Sequence, residues 1–198
     1  MTGTPPQRRP LDQSNNTARN PSRRSLFAFA AGACSLLLIN KPASAARVLI
    51  PEKSLFITRA HAGESFRGVF WAAGQYDPDA LTRIKRLLRD ANDNSFHQID
   101  TALIELMARM QRTLDTRQAL EVVSGYRSPR SNAVARRSDR RVAVNSFHMQ
   151  GKAVDIRVQG HSLGQLRRAA VSLQAGGVGT YRNRDFLHLD VGPVRTWG

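Results

Sequence analysis

Ser146-Phe147-His148-Met149-Gln150-Gly151-Lys152-Ala153-Val154-Asp155-Ile156 sets an imidazole and a carboxylate seven residues apart. Gly151 lies between them, and the carboxylate rides on a β-prone run from Ala153 to Val158. Nearer the C-terminus, Asp185-Phe186-Leu187-His188-Leu189-Asp190 carries a second imidazole on an apolar, strand-like segment. Two His and one Asp can ligate Zn²⁺ and leave a fourth tetrahedral position open, the arrangement of a catalytic rather than a structural zinc. His148, Asp155 and His188 are thus candidate metal ligands. The spacing of the first pair alone has only moderate specificity, because an His and an Asp seven apart occur by chance in many chains.

Working outward, the segments around this stretch alternate between short strands and helices. Ser54–Ile57 and Phe66–Trp71 read as strands, with Val48–Ile50 before them, separated by Pro51, Gly63 and polar residues. A helix is expected after Pro78-Asp79, with Asp79 as its cap and Leu81, Ile84, Leu87 and Leu88 on one face. A second runs from about Asp100, with Leu103, Leu106, Met107, Met110 and Leu114 at helical spacing. Ala119–Val123 reads as a buried strand. Arg130 to Arg141 is polar, holds five arginines and reads as a surface excursion. Ser162 is a candidate cap for a short helix that Gly176-Gly177 stops. Val178–Tyr181 and Phe186–Val191 form an expected hairpin around Arg182-Asn183-Arg184. The fold class is α+β: one small domain, a mostly antiparallel sheet with packed helices, and a metal site at the sheet edge.

The N-terminal stretch belongs to a different kind of sequence. Residues 1–22 are rich in Pro, Asn, Arg, Thr and Ser and lack periodicity. Ser22-Arg23-Arg24-Ser25-Leu26-Phe27 then leads into an apolar run from Ala28 to Ile39, closed by Ala43-Ser44-Ala45. The pattern is an export signal with a twin-arginine flavour, and the apolar run is too short to anchor in a bilayer. The expected organisation is 1–45 as signal and extension, and 46–198 as the functional domain in the periplasm. Cys34, the single cysteine, falls inside the signal, so a metal in the domain must be held by His and carboxylate.

The formal charge of +15 remains +10 once those 45 residues are set aside, with 24 basic and 14 acidic residues left. Charge alone would allow nucleic acid as a partner. Export removes the chain from nucleic acid, and no aromatic-basic interleaving of a binding platform is visible. Trp71 and Trp197 read as core. His61, His97 and His161 stand in segments without partners and read as ordinary residues.

Four motifs occur in order: Ser124-Gly125-Tyr126-Arg127-Ser128-Pro129; Ser146-x-His148-x-x-Gly151-x-Ala153-x-Asp155; Gly176-Gly177-Val178-Gly179-x-Tyr181; and Phe186-x-His188-x-Asp190-x-Gly192-x-x-Arg195-x-Trp197. Together they resemble the murein endopeptidase K type of bacterial cell-wall peptidase, related to the wider zinc D-alanyl-D-alanine peptidases and to the Hedgehog signalling domain. The resemblance covers about residues 47–198, including His61-x-Gly63-Glu64 and Leu87-Leu88-Arg89-Asp90. It implies His148, Asp155 and His188 as Zn²⁺ ligands, and Arg127 as the arginine that meets the substrate carbonyl or carboxylate. It also implies a periplasmic zinc peptidase that hydrolyses amide bonds in peptidoglycan stem peptides and cross-links. A D,D-carboxypeptidase, or a zinc-containing domain that binds cell-wall peptides without turnover, are the alternatives.

Two acids compete as general base. Asp190 is two residues from His188 and falls on the same face of a strand. Asp185 is three before it and matches where several relatives place a glutamate. Geometry favours Asp190, whose other role would be to accept a hydrogen bond from a ligand imidazole. The arginines of 130–141 read either as a solvated loop or as an attractor for the free carboxylates of stem peptides.

Overall fold

A computed structural model describes residues 51–140 and 142–198. The strand at 48–50, the export signal and Cys34 lie outside the described residues. Period-2 patterning accounts for most of the sheet, whose strand order is β3-β2-β1-β4-β5-β7-β6-β8. The strands are β1 (Glu52–Arg59), β2 (Ser65–Ala72), β3 (Gln75–Tyr76), β4 (Leu120–Ser124), β5 (Ala153–Val158), β6 (Gly177–Tyr181), β7 (Phe186–Asp190) and β8 (Arg195–Trp197). All neighbours run antiparallel except β1 with β4 and β6 with β8. The expectation of an α+β domain with a mostly antiparallel sheet therefore holds.

The helices are α1 (Pro78–Leu87), α2 (Thr101–Thr113), α3 (Pro129–Ser138) and α4 (Leu163–Ser172). Their caps explain their starts. Asp77, not Asp79, caps α1, because its carboxylate accepts from the amides of Asp79 and Ala80 and Pro78 suits the first helical position. Asp100 caps α2 and Ser162 caps α4, the latter in a reciprocal capping box with Gln165. The arginine-rich excursion is a helix rather than a loop. Ser128 caps it through the Ser131 amide and Pro129 follows at once, a start signal that the polar composition conceals.

Core residues come from one face of the sheet. Val154, Ile156 and Val158 of β5, Leu187 and Leu189 of β7, and Val178 of β6 join Leu103, Ile104, Met107 and Met110 of α2 and Leu166 and Ala170 of α4 in one buried cluster. Alternation sends Asp155, His188 and Asp190 to the other face. The cluster expected to bind metal thus stands on the face of two inner strands, not on an outermost strand.

Candidate functional site

Three backbone arrangements deliver three side chains to one point. Asp155 on β5 is paired in register with His188 on β7, and with Ser124 on β4 at its other side. His148 comes from a short 3-10 helix, Phe147–Gln150, whose cap Ser146 accepts from the His148 amide. Gly151 ends that turn at φ 65°, and a Cβ there would sit 2.1 Å from the Gln98 carbonyl oxygen. Only glycine suits both the left-handed backbone and the close approach. The turn is fixed further by the Asp100 amide, which donates to the Gly151 carbonyl at 3.0 Å.

His148 Nε2, His188 Nδ1 and Asp155 Oδ1 form a triangle with sides of 3.2, 2.9 and 3.3 Å. The outward nitrogens are both engaged. His148 Nδ1 donates to the Gly125 carbonyl at 2.7 Å, and His188 Nε2 donates to Asp190 Oδ2 at 3.0 Å. In the neutral form of each ring one proton is spent there, and the inward nitrogens then present lone pairs, as does the carboxylate. Three acceptors converging this closely call for a cation. A tetrahedral zinc with bonds of about 2.0–2.2 Å separates its ligands by about 3.3–3.6 Å, within a few tenths of an ångström of this triangle. The donor set and its spacing therefore fit a divalent metal. Among the described residues this is the one grouping of three or more such side chains able to hold an ion.

The electrostatics are those of a buried site, all three residues being under a tenth exposed. Burial pushes the His148 imidazole below the ordinary histidine pKa, although Asp155 opposes it. Burial acts the same way on His188, but hydrogen bonds to Asp155 and Asp190 outweigh it and raise that pKa. For Asp155 the penalty of burial is overcome by both imidazoles, which hold its carboxyl well below the usual carboxylate range.

Arg127 lies beside the triangle, its Nη2 3.7 Å from Asp155 Oδ2. Among the described residues its other side-chain contacts are long, 3.4 Å to both Asn132 Oδ1 and Ser124 Oγ. The loop that carries it is anchored from far upstream. The Tyr126 amide donates to the Leu88 carbonyl at 2.7 Å, and Asp90 accepts from the Ser128 amide at 2.6 Å. Asp93 accepts from Ser128 Oγ at 2.7 Å. Asp90 and Asp93 have no periodic or motif signal of their own as anchors; only the inclusion of Asp90 in a recognised stretch marked it. His97 is likewise not isolated, since it stacks on Tyr126 with ring centroids 5.0 Å apart.

The triangle and Arg127 open onto a cavity of about 530 Å³, walled also by Phe147, Tyr181, Arg184 and Trp197. Trp197, expected in the core, is instead a wall of this cavity, 5.2 Å from the His188 ring. Neither acid considered as a base lines it. Asp190 does share a face with His188, but it is wholly buried. Its oxygens accept from His188 Nε2, the Gly177 and Gly192 amides and both Arg195 terminal nitrogens. Both oxygens of Asp190, the acid that strand geometry favours as base, are thus taken up by five donors. Asp185 is exposed, in left-handed backbone at φ 51°, where the β6–β7 turn ends. Arg157 holds that turn through the Asp185 and Arg184 carbonyls.

Comparison with known proteins gives a consistent answer. A family model described as peptidoglycan L,D-endopeptidase MepK matches residues 49–197. Peptidoglycan L,D-endopeptidase MepK of Escherichia coli K12 is 35% identical over 176 residues, which cover 89% of this chain and 97% of that protein. A probable peptidoglycan L,D-endopeptidase MepK of Haemophilus influenzae is 42% identical over 138 residues, covering 69% of this chain and 74% of its own length. No solved structure matches the chain.

Proposed function

The chain belongs to the peptidoglycan L,D-endopeptidase MepK family of peptidases, and on that premise we propose that it is a zinc enzyme that hydrolyses L,D amide bonds in the peptide cross-links of peptidoglycan. The observation that carries the reading is the convergence of two imidazole nitrogens and a carboxylate oxygen beside the Arg127 guanidinium in one cavity. His148, Asp155 and His188 would hold the ion. Bound there, zinc would supply Lewis-acid chemistry and the activation of water near neutral pH.

The chain's own side chains do the rest. Arg127 offers donors that never deprotonate to the oxygen of the scissile carbonyl, where negative charge develops during attack. Asp190 keeps the proton of His188 on Nε2 and so keeps the Nδ1 lone pair aimed into the triangle. Gly125 does the same for His148 through its carbonyl. The aromatic walls Phe147, Tyr181 and Trp197 exclude water on one side of the cleft.

Digestion of purified sacculi, with muropeptides separated by chromatography, tests the proposal. Cross-linked dimers falling to monomers is the expected result. Loss of D-Ala alone would make the enzyme a carboxypeptidase, and no change with metal bound would make it a binding domain.

The same reading places the protein outside the cytoplasm, where peptidoglycan lies. No helix among the described residues is long and apolar enough to cross a membrane. Arg23-Arg24, the apolar run to Ile39 and Ala43-Ser44-Ala45 support export to the periplasm by the twin-arginine route, with residues 46–198 as the mature domain. Pulse-chase labelling of a chain with Arg23→Lys and Arg24→Lys tests it: unaltered processing would remove the twin-arginine assignment.

A further inference from the structure

Arg195 lies outside the triangle, yet it touches the surroundings of both imidazoles. Its Nη1 and Nη2 grip Asp190 Oδ1 and Oδ2 at 3.0 and 2.7 Å, a fork-on-fork pair. Its guanidinium carbon lies 5.4 Å from the centroid of the Phe147 ring and 5.0 Å from that of Trp197. Phe147 immediately precedes His148, and the Trp197 ring packs beside His188. The backbone of β6 is cut away to admit this group. A Cβ at Gly177 would meet Arg195 Nη1 at 2.5 Å, and one at Gly179 would meet the Trp197 ring at 2.4 Å.

We propose that Arg195 is a positioning residue for the metal centre, acting on His188 through Asp190. The inference rests on reading the triangle as a metal site. The Gly177 and Gly192 amides already hold Asp190 Oδ1. Arg195 Nη2 adds the donor on Oδ2 itself, keeping that oxygen aimed at His188 Nε2 and thereby fixing the tautomer and the ring plane that present Nδ1 to an ion. Outer contacts of this kind commonly change metal affinity by about 10–100-fold when removed. Lysine cannot replace the fork, because an ammonium is a point charge without two parallel donors.

The test uses the purified full chain with zinc affinity measured by chelator competition, and the absorption bands of the Co²⁺-substituted protein as a second readout. Arg195→Ala is expected to weaken zinc binding about 10–100-fold and to shift the Co²⁺ bands. Arg195→Lys should recover only part of the loss. Added methylguanidinium should restore affinity to Arg195→Ala, which a merely structural role would not allow. Circular dichroism and melting temperature establish that the variants are folded; if Arg195→Ala is not, Arg195→Lys carries the comparison. Zinc affinity within twofold of wild type and unshifted Co²⁺ bands in a folded variant would overturn the proposal. A wild-type chain that binds no zinc would instead sink the metal reading beneath it, so the two failures are distinguishable.

Discussion

Asp155 and His188 face each other across the β5–β7 ladder, and Asp155 Oδ1 lies 2.9 Å from His188 Nδ1. Register alone therefore sets two of three acceptors side by side. A slip of one residue would turn one of them into the helix-packed core. The third, His148, needs only a tight turn to reach them.

Replacing Asp155 or His188 with Ala should reduce the metal content of purified protein from one ion per chain to almost none after dialysis, as read by elemental analysis. Chelation of the wild type should abolish muropeptide turnover, and zinc should restore it. Retention of metal by either variant would contradict the assignment.

Arg127→Ala should retain its metal and lose about 10²–10³-fold in kcat, the usual effect of removing one donor to a developing oxyanion. Arg127→Lys should recover little of it, since the cavity geometry suits a fork of donors. Steady-state kinetics together with metal analysis separates this from a folding defect.

The two acids near His188 should behave differently. Asp185→Ala, at an exposed turn position, should leave kcat within about threefold of wild type, because surface changes away from special contacts are mild. Asp190→Asn should weaken metal binding about 10–100-fold and carry activity down with it. A large loss in Asp185→Ala with zinc retained would instead identify the base.

Asp90 sets an acid limit on stability. Burial alone would raise its pKa, but hydrogen bonds from the Ser128 and Asn92 amides outweigh that and hold it below the usual carboxylate value. A depressed carboxyl pKa contributes stability that is complete above the unfolded pKa and is lost as pH falls through the folded one. Asp90→Asn should cost about 1–3 kcal/mol near neutrality. The gap from wild type should close on acidification below about pH 4. Urea unfolding across pH measures it; a gap that widens with acid would refute the account.

Gly151→Ala should destabilise by about 1–3 kcal/mol from backbone strain alone, with the clash against Gln98 adding to it. Thermal melts check this.

Much of the fold was legible because local rules agree with the tertiary outcome. Alternation in β5 and β7 separates Val154, Ile156, Leu187 and Leu189 from Asp155 and His188 before any contact is known. Asp100 and Ser162 are caps on composition and position. The α3 helix escaped because its buried side, Ser131 and Asn132, is polar, leaving no apolar period to read. The metal triangle was reached through chemistry and resemblance, whereas the state of Asp190 was hidden. Same-face placement gave its neighbour correctly, but nothing local shows that Arg195 and two backbone amides would consume its oxygens. Asp90 and Asp93 were hidden for the same reason, since their partner Ser128 lies 38 and 35 residues downstream.

Strand β7 lies between β5 and β6, although it follows both along the chain. During synthesis, the ribosome therefore releases the strand bearing His188 after both of its neighbours, and it must wedge between them. Until it does, the central sheet is split and the His188 ligand is absent. A nascent or prematurely terminated chain ending before Phe186 would carry Arg127, His148 and Asp155 but no complete ion cage, so hydrolytic capacity would arrive only with the closing strand.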